Sequence, residues 1–209
     1  MKAWFLRSLK KGIVTSSFPS GKNEALSPWA TLPMRDMSGE VDCPVDAIQD
    51  DRVDSGKCIS CGICFPQFKP SMQIPQINMV RVEKSLSKSM KLYLFDSGTC
   101  GACNLEIMAL NSPQYDMNRL GLSFTNTPRQ ADAIMITGVL TEGMIAPLKA
   151  AIDSMASPKI VFAVGACAIS GGLMGKSISE ITGLDVQVPG CPPDPFVIVA
   201  AIEKARGRI

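Results

Sequence analysis

Eight cysteines and no histidine in a chain of 209 residues set the chemistry within reach. The cysteines are Cys43, Cys58, Cys61 and Cys64 within VDCPVDAIQDDRVDSGKCISCGICFP, then Cys100, Cys103, Cys167 and Cys191. Without imidazole, metal chemistry must rest on sulfur and carboxylate. Several C-x-x-C spacings in a large, Met-rich chain point to metal ligation in a reducing compartment rather than to disulfides. Cys100 and Cys103 can grip one metal centre but cannot close it, so partners must come from elsewhere. Zinc held by four thiolates is the simpler alternative, although zinc ribbons usually use two separated C-x-x-C knuckles rather than three cysteines in one run.

The elements that position these thiols follow from hydrophobic patterning. From Lys91 onward strand and helix patterns alternate, as in a parallel α/β sheet. The pattern predicts strands at 92–95, 122–125, 133–139, 159–164 and 186–188, with helices at 104–110, 144–155 and 194–205. Cys100 and Cys103 follow the first strand, Cys167 follows IVFAV in GACAISGG, and Cys191 follows VQV in PGCPPDP. All four therefore lie just beyond strand carboxyl ends, the edge of a doubly wound sheet where separate loops converge. A second four-thiolate site fits there. Gly165, Gly171 and Gly172 would let the backbone approach a bulky group, and Pro192 and Pro193 would stiffen the last loop. The competing reading of GACAISGG as a phosphate loop lacks a Walker lysine or a dinucleotide fingerprint.

Upstream, residues 1–22 carry Lys2, Arg7, Lys10, Lys11 and Lys22 and no acid, and Phe5, Leu6, Leu9 and Ile13 share one helical face. This predicts a basic amphipathic anchor, with residues 1–14 in peripheral contact with a membrane surface or a partner; a helix docked on its own chain is the alternative. Residues 23–70 hold the first four cysteines. Here CPVDAI and GKCISCGIC resemble a bacterial-type ferredoxin, in which a C-x-x-C-x-x-C loop takes three corners of a 4Fe-4S cubane and a Cys-Pro supplies the fourth. Cys43-Pro44 stands in that role. No second run of this kind is present, so one cluster is expected here. Residues 71–90, rich in Pro, Ser and Lys, read as a linker. A net charge of +2 gives no case for nucleic acid. The longest uncharged run, 160–175, has 16 residues, below the ~20 a membrane span needs. No signal peptide is evident.

Four motifs in order, GTCGACNLEI, ADAIMITGVLT, GACAISGG and GCPPDP, make residues 91–205 similar to the small, cluster-bearing subunit of membrane-bound, energy-converting nickel-iron hydrogenases, which is homologous to a small subunit of complex I. The opening LKKGIVTSSFP also resembles the start of ferredoxin-like subunits of those complexes. The resemblance implies a flavodoxin-like domain over residues 91–209 and two 4Fe-4S clusters, one on Cys43, Cys58, Cys61 and Cys64 and one on Cys100, Cys103, Cys167 and Cys191. It further implies a nickel-iron site in a separate large subunit, with other ferredoxin-like and membrane subunits alongside, and a peripheral place on the cytoplasmic side of a membrane. The complex I subunit has adjacent cysteines where this chain spaces Cys100 and Cys103 two residues apart, which favours hydrogenase over quinone reduction. Glu106 would carry protons near the partner's site; otherwise it is an acid in the first turn of a helix, favoured by the dipole. Two further readings remain at this point, a stand-alone electron carrier and a zinc-stabilised interaction protein.

Overall fold

A computed structural model describes residues 31–71 and 73–209, together with Lys11. The expected amphipathic anchor at 1–22 otherwise lies outside the described residues. Among the described residues, two small two-stranded antiparallel sheets come first. β1 (Pro33–Arg35) pairs antiparallel with β4 (Phe68–Pro70), and β2 (Ile48–Gln49) pairs antiparallel with β3 (Arg52–Val53). Phe68 is buried beneath them, and the Arg35 guanidinium lies 4.9 Å from its ring centroid while pairing with Asp51 at 2.6 Å.

The larger part is a six-stranded sheet built from β5 (Asn78–Met79), β6 (Met90–Asp96), β7 (Leu122–Phe124), β8 (Ala133–Thr137), β9 (Ile160–Val164) and β10 (Val186–Val188). Its order is β5-β10-β9-β8-β6-β7, parallel throughout except that β5 runs antiparallel to β10 at one edge. Counted in chain order, the five parallel strands stand as 2-1-3-4-5. That is the flavodoxin-like order, with its switch point between β6 and β8. The predicted α/β class is therefore what the chain adopts.

Side-chain alternation explains why the sheet is covered on both faces. Met135 on β8 and Phe162 on β9 join one apolar cluster with Ile107 of α1 (Ala102–Ala109) and Val197, Ile198 and Ile202 of α4 (Pro195–Ala205). Ile134, Ile136, Val161 and Ala163 point the other way, toward Leu148 and Ala151 of α2 (Glu142–Ser154) and Ala168 of α3 (Ala166–Ser170). Strands β8 and β9 are buried at every position, which is why they read as unbroken apolar runs rather than alternating ones.

The connecting stretch 71–90 is itself woven into this sheet. It supplies β5, the Val80 N–H donates to the Asp185 carbonyl at 2.9 Å, and the Glu83 N–H donates to the Ala205 carbonyl at 2.7 Å. Arg81 adds an ion pair with Asp185 at 3.3 Å.

Candidate functional site

The first group of thiols is arranged by tight turns rather than by regular structure. Between its cysteines, Ser60 and Gly62 take positive φ angles of 52° and 76°, so the backbone coils and turns successive thiols inward. The loop is closed by local bonds. The Phe68 N–H donates to the Cys64 carbonyl at 2.9 Å, and the Cys58 N–H donates to the Asp54 carbonyl at 3.0 Å. Cys43 comes in from the preceding segment, where the Ala47 N–H donates to its Sγ at 3.3 Å. A cavity of about 480 Å³ opens between them, lined by Cys43, Cys58, Cys61 and Cys64 and by apolar side chains including Val45, Ile59 and Ile63. Cys61 is exposed and the other three are half-buried. Burial pushes the Cys58 and Cys64 thiols up, and the other cysteines of the group push them further.

The second group forms at the carboxyl edge of the sheet. Asp96, the last residue of β6, accepts from the Gly98 N–H at 2.9 Å, from the Thr99 hydroxyl at 3.0 Å and from the Asn104 amide at 2.8 Å. Asn104 in turn accepts a 2.6 Å bond from the buried Thr137 hydroxyl at the end of β8. The Cys100–Cys103 loop is thus braced across the switch point. Opposite it, the Ala166 N–H donates to the Gly190 carbonyl at 2.9 Å, tying the turn before Cys167 to the one before Cys191.

Glycine makes this convergence possible at two positions. Gly165 has φ of +92°, and a Cβ on it would stand 2.5 Å from Cys103 Sγ. Gly172 has φ of +56°, and a Cβ there would stand 3.1 Å from Cys167 Sγ. Cys100 is exposed while Cys103, Cys167 and Cys191 are half-buried. Desolvation pushes the Cys103 thiol up to about 12, and Cys191, Cys167 and Cys100 add to the shift in that order. Burial of this kind disfavours a bare Cys103 thiolate, and the positive charge of a coordinated metal would offset it. Among the described residues, no three Cys, Asp or Glu side chains stand close enough to share a single ion. A cubane makes no such demand, since each thiolate takes its own iron. The donor sets, the apolar cavity and the space left by Gly165 and Gly172 all suit such a group.

The structure brings together the residues that the sequence assigned to each group, and it corrects one detail. Helix α1 begins at Ala102, earlier than the spacing predicted, so Cys103 lies in its first turn and Glu106 does not. The reading of Glu106 as a first-turn acid held by the helix dipole therefore fails. Burial, and then Asp194, hold its carboxyl above the usual range. Sequence reasoning missed the Asp96, Thr99, Asn104 and Thr137 brace. An Asp followed by Ser-Gly-Thr is the signal that could have found its first part, because such side chains bond their own turn.

The family model described as NADH ubiquinone oxidoreductase, 20 kDa subunit, matches residues 100–205. A probable membrane-bound hydrogenase subunit of Pyrococcus furiosus is 36% identical over 131 residues, covering 58% of this chain and 78% of that protein. An NADH-quinone oxidoreductase subunit of Geotalea daltonii is 40% identical over 112 residues, covering 51% of this chain and 66% of its own length. Among solved structures, a chain of the membrane-bound sulfane sulfur reductase, an archaeal respiratory membrane complex, superposes with a TM-score of 0.51 at 28% identity, over 58% of this chain and 71% of that one. The family match begins at Cys100, so the first group of cysteines lies before it.

Proposed function

From the premise that the chain belongs to the family of the 20 kDa subunit of NADH ubiquinone oxidoreductase, we propose that it is the electron-transfer subunit of a membrane-associated, energy-converting nickel-iron hydrogenase. The observation that carries this reading is the convergence of Cys100, Cys103, Cys167 and Cys191 from three loops onto one sheet edge, next to a second thiol group of ferredoxin type. A 4Fe-4S cubane in each group would supply one-electron exchange at a potential set by burial and by hydrogen bonds to sulfur.

The chain's own residues would hold and tune these groups. Gly165 leaves room beside Cys103, and the Asp96 brace fixes the Cys100–Cys103 loop. In the first group, the Ala47 N–H donates to Cys43 Sγ, one of the hydrogen bonds to sulfur that would tune such a group. Glu106, raised by burial and by Asp194, is suited to holding a proton at its carboxylate near a partner's site. Leu105 and Met108 follow Cys103 along the chain and Leu173 and Met174 follow Cys167; all four are exposed, and such apolar side chains support a large subunit seated over the exposed Cys100. Other ferredoxin-like and membrane subunits would complete the complex on the cytoplasmic side. Among the described residues no helix is long and apolar enough to cross a membrane.

The separated Cys100-x-x-Cys103 spacing favours hydrogen chemistry, with quinone reduction as the alternative. Anaerobic purification tests both levels of the proposal. About eight irons per chain and paramagnetic signals after reduction are expected; about two zinc ions and no signal would mean a zinc-stabilised protein instead. Copurification with a nickel-containing large subunit is expected of the hydrogenase, and a nickel-free partner complex reducing quinone would reject it.

A further inference from the structure

The two thiol groups are not held at a distance by the stretch between them. The loop carrying Cys58 and Ser60 and the loop Pro189–Pro193 that carries Cys191 line one narrow gap, with room for only about 10 Å³. That leaves hardly enough space for one water molecule. Two residues before Cys58, Gly56 is buried against α3, the helix holding Cys167. A Cβ on Gly56 would stand 3.1 Å from Ile169 Cγ2. No positive φ accompanies it, so what glycine supplies here is space rather than backbone freedom. The Gly56 N–H also donates to Asp54 Oδ1 at 2.8 Å, which holds the turn leading into Cys58.

We propose that the narrow gap between the Cys58–Ser60 loop and the Gly190–Pro193 loop is the electron-exchange contact between the two thiol groups, and that Gly56 is the positioning residue that seats the first loop against Ile169. This rests on the function proposed above and adds the place and cause of contact. The exchange moves one electron from one group to the other, the first oxidised and the second reduced by the same electron, with no bond made or broken. A path with little room for water favours it. The same proximity makes the two sites interact when both carry an unpaired electron, and makes the second reduction harder than the first.

The test uses the full chain loaded anaerobically with iron and sulfide and reduced stepwise with dithionite under electron paramagnetic resonance. The wild type is expected to show the signal of one group alone at partial reduction, then splitting and broadening from spin interaction at full reduction. Gly56→Val should keep the iron content and both signals but lose the splitting. Gly56→Val combined with Ile169→Ala, which restores the space, should recover it, and Gly56→Ala should fall between. Two full signals that simply add in the wild type would overturn the proposal while leaving the two-cluster reading intact. So would a splitting unchanged in Gly56→Val, or one lost in Gly56→Val but not recovered by Ile169→Ala. If Gly56→Val fails to hold iron, the wild-type spectrum and Gly56→Ala decide the matter. Iron for one cluster only, or zinc, would instead bring down the function on which the proposal rests.

Discussion

Cys103 Sγ occupies the space that a side chain on Gly165 would need, the missing Cβ falling 2.5 Å from the sulfur. Replacing Gly165 with Ala therefore pushes directly on one member of the second group and also strains a backbone at φ of +92°. Iron content is expected to fall from about eight to about four per chain, since the first group is untouched. The strain alone costs about 1–3 kcal/mol, measurable by denaturant unfolding. Retention of all the iron by this variant would show that the second group does not need this space.

The two groups are built from different segments, so their ligand variants should be separable. Cys43→Ala and Cys191→Ala should each remove about four irons and abolish a different paramagnetic signal. Loss of all iron from either single variant would contradict independent sites.

Thr137 braces the Cys100–Cys103 loop from the neighbouring strand through Asn104. Thr137→Val keeps the shape but leaves the Asn104 oxygen without its donor, at a cost of about 1 kcal/mol. Faster loss of the second group's iron to a chelator is expected, with the first group's rate unchanged. Equal rates in wild type and variant would show the brace to be incidental.

Glu106 has a folded-state pKa above its ordinary value of 4.5, because burial and then Asp194 disfavour its charge. The folded state thus keeps its proton longer than the unfolded state. This carboxyl takes nothing from stability where both states are protonated; it destabilises progressively as pH rises from about 4.5 to the raised value, and then by a constant amount. Glu106→Gln should therefore be more stable than wild type near neutrality, with the difference closing below the ordinary carboxylate range. Urea unfolding across pH would show this, and parallel curves for the two proteins would refute it.

Glu203 and Arg206 are fully buried and paired at 2.5 Å near the end of α4, with Arg206 also donating to the Leu120 carbonyl and Arg208 reaching Glu203 at 3.3 Å. Arg206→Ala leaves a buried carboxylate with one remaining partner and should cost about 3–5 kcal/mol. Replacing the pair together, Glu203→Leu with Arg206→Met, should cost far less. Unfolding midpoints of the two variants make the comparison.

Much of the fold was legible in advance because it depends on short-range patterning. The strands at 133–139 and 159–164 are the centre of the sheet, buried on both faces, and their apolar runs declare it; the observed ends fall within two residues. What escaped were elements too short to carry a period. β5 has two residues and α3 has five, and the first lay inside a stretch read as linker. The predicted start of α1 came late because Gly101, at φ of +89°, begins it without a side-chain cap.

The sequence by itself determined the ligand type, the division of eight cysteines into two groups and the succession of strands whose carboxyl ends carry the second group. These follow from residue chemistry and local spacing. Only the tertiary structure decided how far inside α1 Glu106 lies, that Gly165 makes room for Cys103 rather than merely loosening a loop, and that Gly56 lies against Ile169 where a side chain would be crowded. Each of those depends on how closely surfaces from distant parts of the chain approach, and that distance is set by packing of the whole core rather than by any neighbour in sequence.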